Sequence, residues 1–180
     1  MAHNLDESIA LLERTPAVLN ALLRGLPATW TLSNEGGNTW DARGAVAHLA
    51  NLERTDWMPR LSRILESGES RAFDPVDREA FRRDQDRSLA DLLDEFSRLR
   101  TANLTTVRNL QLQPDDLARR GRHPSLGAVT LSELLATWAA HDLTHLHQIT
   151  RVMAHQYRDL VGPWQRYLGV MQCKGHSANA

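Results

Sequence analysis

The sequence predicts an all-α protein, a four-helix bundle with long crossover connections and a short C-terminal helix, in a single domain over residues 1–180 with its core at about 5–170. Three observations carry this expectation. Apolar residues recur at helical spacing over four long segments, while strand-like alternation is scarce. Leu, Ala, Arg and Glu dominate those segments. Two long connections separate them, as in bundles whose helices are joined by crossovers.

The first helix begins near Asp6 and carries Ile9, Leu12, Val18, Leu19, Leu22 and Leu23. Pro16 breaks it, with Thr15 as a fresh N-cap and the proline at the first helical position. Gly25 and Pro27 close it, and a Ser/Asn/Gly loop runs from Ser33 to Asn38. Trp40 and Asp41 open the second helix, with Asp41 as N-cap. Ala45, Leu49, Leu52, Leu61 and Ile64 supply its buried stripe, and Pro59 should kink it near Met58.

A polar connection covers Ser67 to about Asp86. The third helix spans roughly Leu89 to Leu110, with Leu92, Leu93, Phe96, Leu99 and Leu104 inward. Gln113 to Gly127 is the second long connection. Thr130-Leu131-Ser132-Glu133 is a capping box opening the fourth helix, which persists to about Tyr157. Gly162 and Pro163 end that run, and a short final helix carries Trp164, Tyr167 and Leu168. Trp40, Trp57, Trp138 and Trp164 adjoin helix starts or apolar stripes and are expected as core anchors.

Composition narrows the function classes. An apolar fraction of 42% and a charged fraction of 24% are those of an ordinary globular protein. The net charge of −1 gives no general attraction to nucleic acid or to an anionic membrane, so neither is expected as a partner. Arg119, Arg120, Arg122 and His123 form a small basic loop, expected as solvated surface. No apolar run approaches a membrane span, and no signal pattern opens the chain, so a cytoplasmic location is expected. A single cysteine, Cys173, excludes an internal disulfide.

The most informative local feature is His141-Asp142-Leu143-Thr144-His145. Residues four apart on a helix differ by about 40° around its axis, so both imidazoles leave in nearly the same direction. Leu134, Trp138, Gln148 and Val152 share that face. Ring nitrogens in an apolar setting need partners, and a divalent metal satisfies two of them at once. A catalytic zinc takes three protein ligands, so a third is expected from another helix. His48 borders the inward stripe of the second helix and is the best candidate.

His3, His123, His147, His155 and His176 compete poorly, being terminal, in a polar loop or off that face. Asp142 occupies the place of the glutamate in HExxH, but projects about 100° from His141 and is expected beside the ligands or at the surface. Glu53 and Asp56 are the carboxylates nearest to general-base candidates, with a surface role expected for Glu53, and no catalytic residue is assigned. Trp138, one turn before His141, packs in the core and is placed to wall the pocket. Cys173 and His176 form a Cys-x-x-His on the tail, a weak ligand pattern expected to be disordered.

The stretch from His123 to Leu168, together with Trp40-Asp41 to Glu53 and its Ala-His-Leu centre, resembles the DinB-like (YfiT-type) family over most of residues 5 to 170. The resemblance implies a bundle with long crossovers and a divalent-metal site of three histidines, which match His48, His141 and His145. It further implies Zn or Ni as the ion, and a homodimer acting on a small-molecule substrate. Either hydrolysis or transfer of a low-molecular-weight thiol fits the family. The alternative is a non-catalytic metal-binding bundle serving as a ligand-binding or dimerisation module.

Overall fold

The computed structural model describes residues 3–37, 39–75, 77, 84 and 86–173. Helix α1 (Leu5–Leu12) starts at Asn4, whose Oδ1 accepts the amides of Asp6 and Glu7 at 3.0 and 3.3 Å. The break at Pro16 separates α1 from α2 (Thr15–Leu23), but Arg14 is the N-cap and Thr15 is buried instead of capping. A single-turn helix, α3 (Ala28–Thr31), follows where the sequence showed only a closing loop.

Helix α4 (Ala42–Thr55) begins as expected on Asp41, which accepts the Gly44 amide at 2.6 Å. The second helix is broken rather than kinked. Chain continues in α5 (Trp57–Ser67) after a non-helical Asp56 with φ −120° and ψ −63°. The proline effect therefore falls earlier than Met58, because the ring of Pro59 clashes with the carbonyl four residues back, that of Thr55.

Helix α6 (Leu89–Asn109) is capped by Ser88, and α7 (Pro114–Leu117) is a single turn. The second connection also holds an antiparallel hairpin that the sequence reading missed, β1 (Arg120–His123) paired with β2 (Gly127–Thr130). Gly121 lets it lie on α5, since a Cβ there would meet Ile64 at 2.7 Å and Phe73 at 2.9 Å. Of the four basic residues, Arg119, Arg120 and Arg122 are exposed and His123 is half-buried, with Arg120 beside Glu69 and Arg119 bonded to the Leu65 carbonyl.

Helix α8 (Leu131–His155) carries the expected capping box, with Glu133 accepting the Thr130 amide at 2.7 Å and Thr130 Oγ1 accepting that of Glu133 at 3.1 Å. Two apolar clusters form the core. One gathers Leu12, Leu52, Trp57, Leu104 and Trp138; the other gathers Leu19, Leu49, Leu93, Phe96 and Ile149. The final segment, a 3₁₀ turn over Gly162–Tyr167 and α9 (Gly169–Gln172), contributes nothing to either cluster. Trp164 is 69% exposed there, so it anchors no core, because the chain has already passed the end of α8. His176 lies outside the described residues. No helix among the described residues is long and apolar enough to cross a membrane.

Candidate metal centre

The facing sides of α4 and α8 bring the three expected histidines together. His48 Nε2 lies 3.4 Å from His141 Nε2, which lies 3.1 Å from His145 Nε2. One ring nitrogen from each falls within 4.8 Å of the others. Nitrogens held at about 2.0–2.1 Å from one tetrahedral ion stand roughly 3.4 Å apart, so the spacing fits a shared divalent ion. His48 and His145 are buried and His141 is half-buried.

Electrostatics fits the same role. Burial pushes His48 down to about 3, with the neighbouring His145 adding to it. Burial and the nearby His145, His48 and Arg100 push His141 down to about 2. Burial also lowers His145, against the opposing pull of Gln148 and Asp142. All three rings are therefore neutral near pH 7, the form that binds a metal. Gln148 Oε1 lies 2.7 Å from His145 Nδ1 and accepts its proton, which directs the free lone pair on Nε2 at the other rings. The sequence placed Gln148 on this face without a role; its i,i+3 spacing from His145 was the available signal. His141 Nδ1 is buried and without a hydrogen-bond partner.

Two indoles wall the cluster. Trp40 stacks on His145 at 6.0 Å and 12° and tilts over His48 at 4.8 Å. Trp57 meets His141 edge-on at 5.4 Å and stacks on Trp138 at 5.6 Å and 13°. Trp57 is thus in contact with a histidine ring, while Trp138 stands behind it in the core. The loop before Trp40 is tied to α8 by Arg151, whose Nε and Nη2 donate to Glu35 at 2.8 and 2.6 Å.

The carboxylates behave differently from expectation. Glu53 and Asp142 are both buried, neither at the surface nor on a histidine nitrogen. They hold Arg100, itself only 1% exposed. Arg100 Nη2 donates to Glu53 Oε1 at 2.9 Å, Nη1 to Asp142 Oδ2 at 2.6 Å, and Nη1 also to the Leu12 carbonyl at 2.8 Å. Trp138 Nε1 and Asn103 Nδ2 add bonds to Glu53, each at 2.9 Å. One guanidinium thereby ties α1, α4, α6 and α8 together, at a level between Phe96 of one apolar cluster and Leu104 of the other. Burial raises the Glu53 pKa, and Arg100 opposes that rise. Asp56 is buried and paired with Arg60 Nε at 2.8 Å. Among the described residues the cluster contains no carboxylate.

The other histidines stay apart from it. His3 bonds Ser132 and Ser8, His123 packs edge-on against Phe73, and neither His147 nor His155 joins the cluster.

The fold and the three clustered imidazoles define an α-helical bundle with a histidine-lined centre between two of its helices. The chain belongs to the DinB superfamily, whose family model matches residues 11–149. Its fold is similar to that of YfiT from Bacillus subtilis, a structure described as a probable metal-dependent hydrolase with an unusual four-helix bundle topology. The two share 22% identity with a TM-score of 0.71, covering 87% of each chain. No curated protein matches the chain.

Proposed function

We propose that the protein is a divalent-metal-dependent enzyme in which His48, His141 and His145 hold the ion and a water or low-molecular-weight thiol attacks a small-molecule substrate. The observation that carries this reading is the convergence on one point of three neutral imidazoles, two buried and one half-buried. Without a cation between them, the rings can share only hydrogen bonds between their Nε2 atoms, and His141 Nδ1 stays buried without a partner. Zn and Ni are the ions that suit an all-imidazole donor set. When bound, the ion supplies Lewis acidity that lowers the pKa of a water or thiol beside it. Gln148 fixes the His145 ring, and Trp40 and Trp57 narrow access to the centre. The description of the similar Bacillus subtilis structure favours hydrolysis over thiol transfer.

Protein purified without chelator should carry close to one divalent ion per chain by elemental analysis. His145→Ala should abolish that content and His147→Ala should retain it. Metal-free wild type that takes up neither zinc nor nickel, or equal loss in both variants, rejects the centre. In the cobalt-substituted protein, a low-molecular-weight thiol that adds a sulfur-to-metal absorption band supports thiol chemistry. A spectrum that responds to no thiol or small anion supports the non-catalytic module instead. Gln148→Ala removes the acceptor behind His145 and should weaken zinc affinity by about 10–100-fold in a competition titration.

A further inference from the structure

Trp40 is half-buried, whereas His48 and His145, the two rings it lies against, are buried. His141, which meets Trp57, is half-buried. The Trp40 indole is thus a cover between two of the imidazoles and solvent, and its backbone is held from both sides. On the C-terminal side Asp41 caps α4 through the Gly44 amide, which fixes the chain one residue after Trp40. On the N-terminal side the chain closes on Thr39, the residue before Trp40. Glu35 N donates to Thr39 Oγ1 at 3.1 Å, Thr39 Oγ1 donates to the Gly36 carbonyl at 2.8 Å, and Asn34 Nδ2 donates to the Thr39 carbonyl at 3.2 Å. Where Glu35 is anchored, Thr39 and the start of Trp40 are therefore anchored too.

The anchor is on α8. Arg151 Nε donates to Glu35 Oε1 at 2.8 Å and Nη2 to Oε2 at 2.6 Å, so the pair is bidentate. Its side chains are only 9% and 19% exposed, whereas the Arg108–Glu13 and Arg120–Glu69 pairs are exposed on both sides. Solvent and salt therefore screen it little, and the fork of the guanidinium fixes direction as well as distance. His141, His145 and Arg151 all belong to α8, so one helix carries two of the clustered rings and the anchor of the chain that covers them.

We infer that Glu35 and Arg151 are positioning residues for Trp40: their ion pair holds the indole over His48 and His145 and so limits how fast an ion exchanges at the centre. They act through Thr39 and the backbone of Trp40. The inference rests on the metal-centre reading above.

The test compares zinc-loaded wild type, Glu35→Gln, Trp40→Ala and the double variant by the rate of zinc loss to excess EDTA. Each single change should speed the loss about tenfold, a coupling of ordinary size for groups joined through contacts. The double variant should lose zinc no faster than Trp40→Ala, because with the indole gone the pair has nothing left to position. A pair that served stability alone would instead add its effect to that of removing the indole. Glu35→Asp keeps the charge on a shorter stem; its rate should fall between wild type and Glu35→Gln, and it replaces the latter if Glu35→Gln does not fold. Unchanged zinc loss in the folded position-35 variants or in Trp40→Ala, or additive effects in the double variant, overturns the assignment while leaving the metal centre standing. Failure of wild type to take up zinc instead overturns the metal reading, and this inference with it.

Discussion

Arg100→Met is expected to cost about 3–5 kcal/mol of folding free energy, because it leaves Glu53 and Asp142 buried without their cation. For a chain of this size that is a fall in Tm on the order of 10 °C. The deficit should depend on pH in a definite sense. Burial already raises the Glu53 pKa while Arg100 opposes the rise, so losing Arg100 raises it further. A carboxyl whose folded-state pKa is raised contributes fully below its ordinary range, and that contribution is lost as pH rises through the raised value. The difference between Arg100→Met and wild type should therefore be smaller at about pH 5 than at about pH 8. Urea denaturation of both proteins at both pH values measures it, and the subtraction removes the histidine contribution common to the two. A deficit that grows on acidification contradicts the account. Replacing Glu53, Arg100 and Asp142 together by apolar residues should do less harm than the single change, since no charge is then stranded.

Metal-free protein should lose stability steeply below about pH 6, the second large effect. The sign follows from the depressed imidazole pKa values, about 3 for His48 and about 2 for His141, with His145 also lowered by burial. A base with a depressed folded-state pKa is neutral in the fold while its unfolded counterpart takes a proton near pH 6.5. Its contribution is present above that value and drains away as pH falls towards the folded pKa. Each such ring adds a slope of about 1.4 kcal/mol per pH unit, and three add about 4 kcal/mol, enough to erase a marginal stability within a few units. Denaturation in the presence of a chelator across about pH 4–7 reads the slope directly. His141→Leu should reduce it by about one proton; an unchanged slope would mean that His141 is not held neutral in the fold. In zinc-loaded protein the same protons compete with the ion for the ring nitrogens, so acidification should release zinc before the bundle unfolds.

Local chemistry was readable at several places where one short segment contains the whole cause, although the Arg120–Thr130 hairpin and the Arg14 cap, equally local, were missed. The Thr130 capping box, the Asp41 cap and the break at Pro16 each depend on groups within four residues of one another. The His141/His145 pair belongs to the same class, because helical spacing alone aligns the two rings. His48 was legible one step less directly, as the histidine bordering the inward stripe of a second helix. Misreadings cluster where the deciding partner is far away in sequence. Glu53 looked like a surface carboxylate because nothing near it in the chain announces Arg100, 47 residues on. Asp142, expected beside the ligands or at the surface, is buried and acts on His145 electrostatically, but its guanidinium partner, 42 residues away, was not legible. Trp164 has the composition of an anchor but no bundle surface to enter.

The amino-acid order by itself determined the long helical segments, the Asp41 and Thr130 caps and the face that carries two of the imidazoles, because those follow from backbone geometry over one or two turns. Which charges are buried and which indoles touch the histidines were decided only by the packing of distant segments, above all of α4 against α6 and α8. Burial and pairing are properties of approach between distant segments, and no periodicity within one segment encodes them.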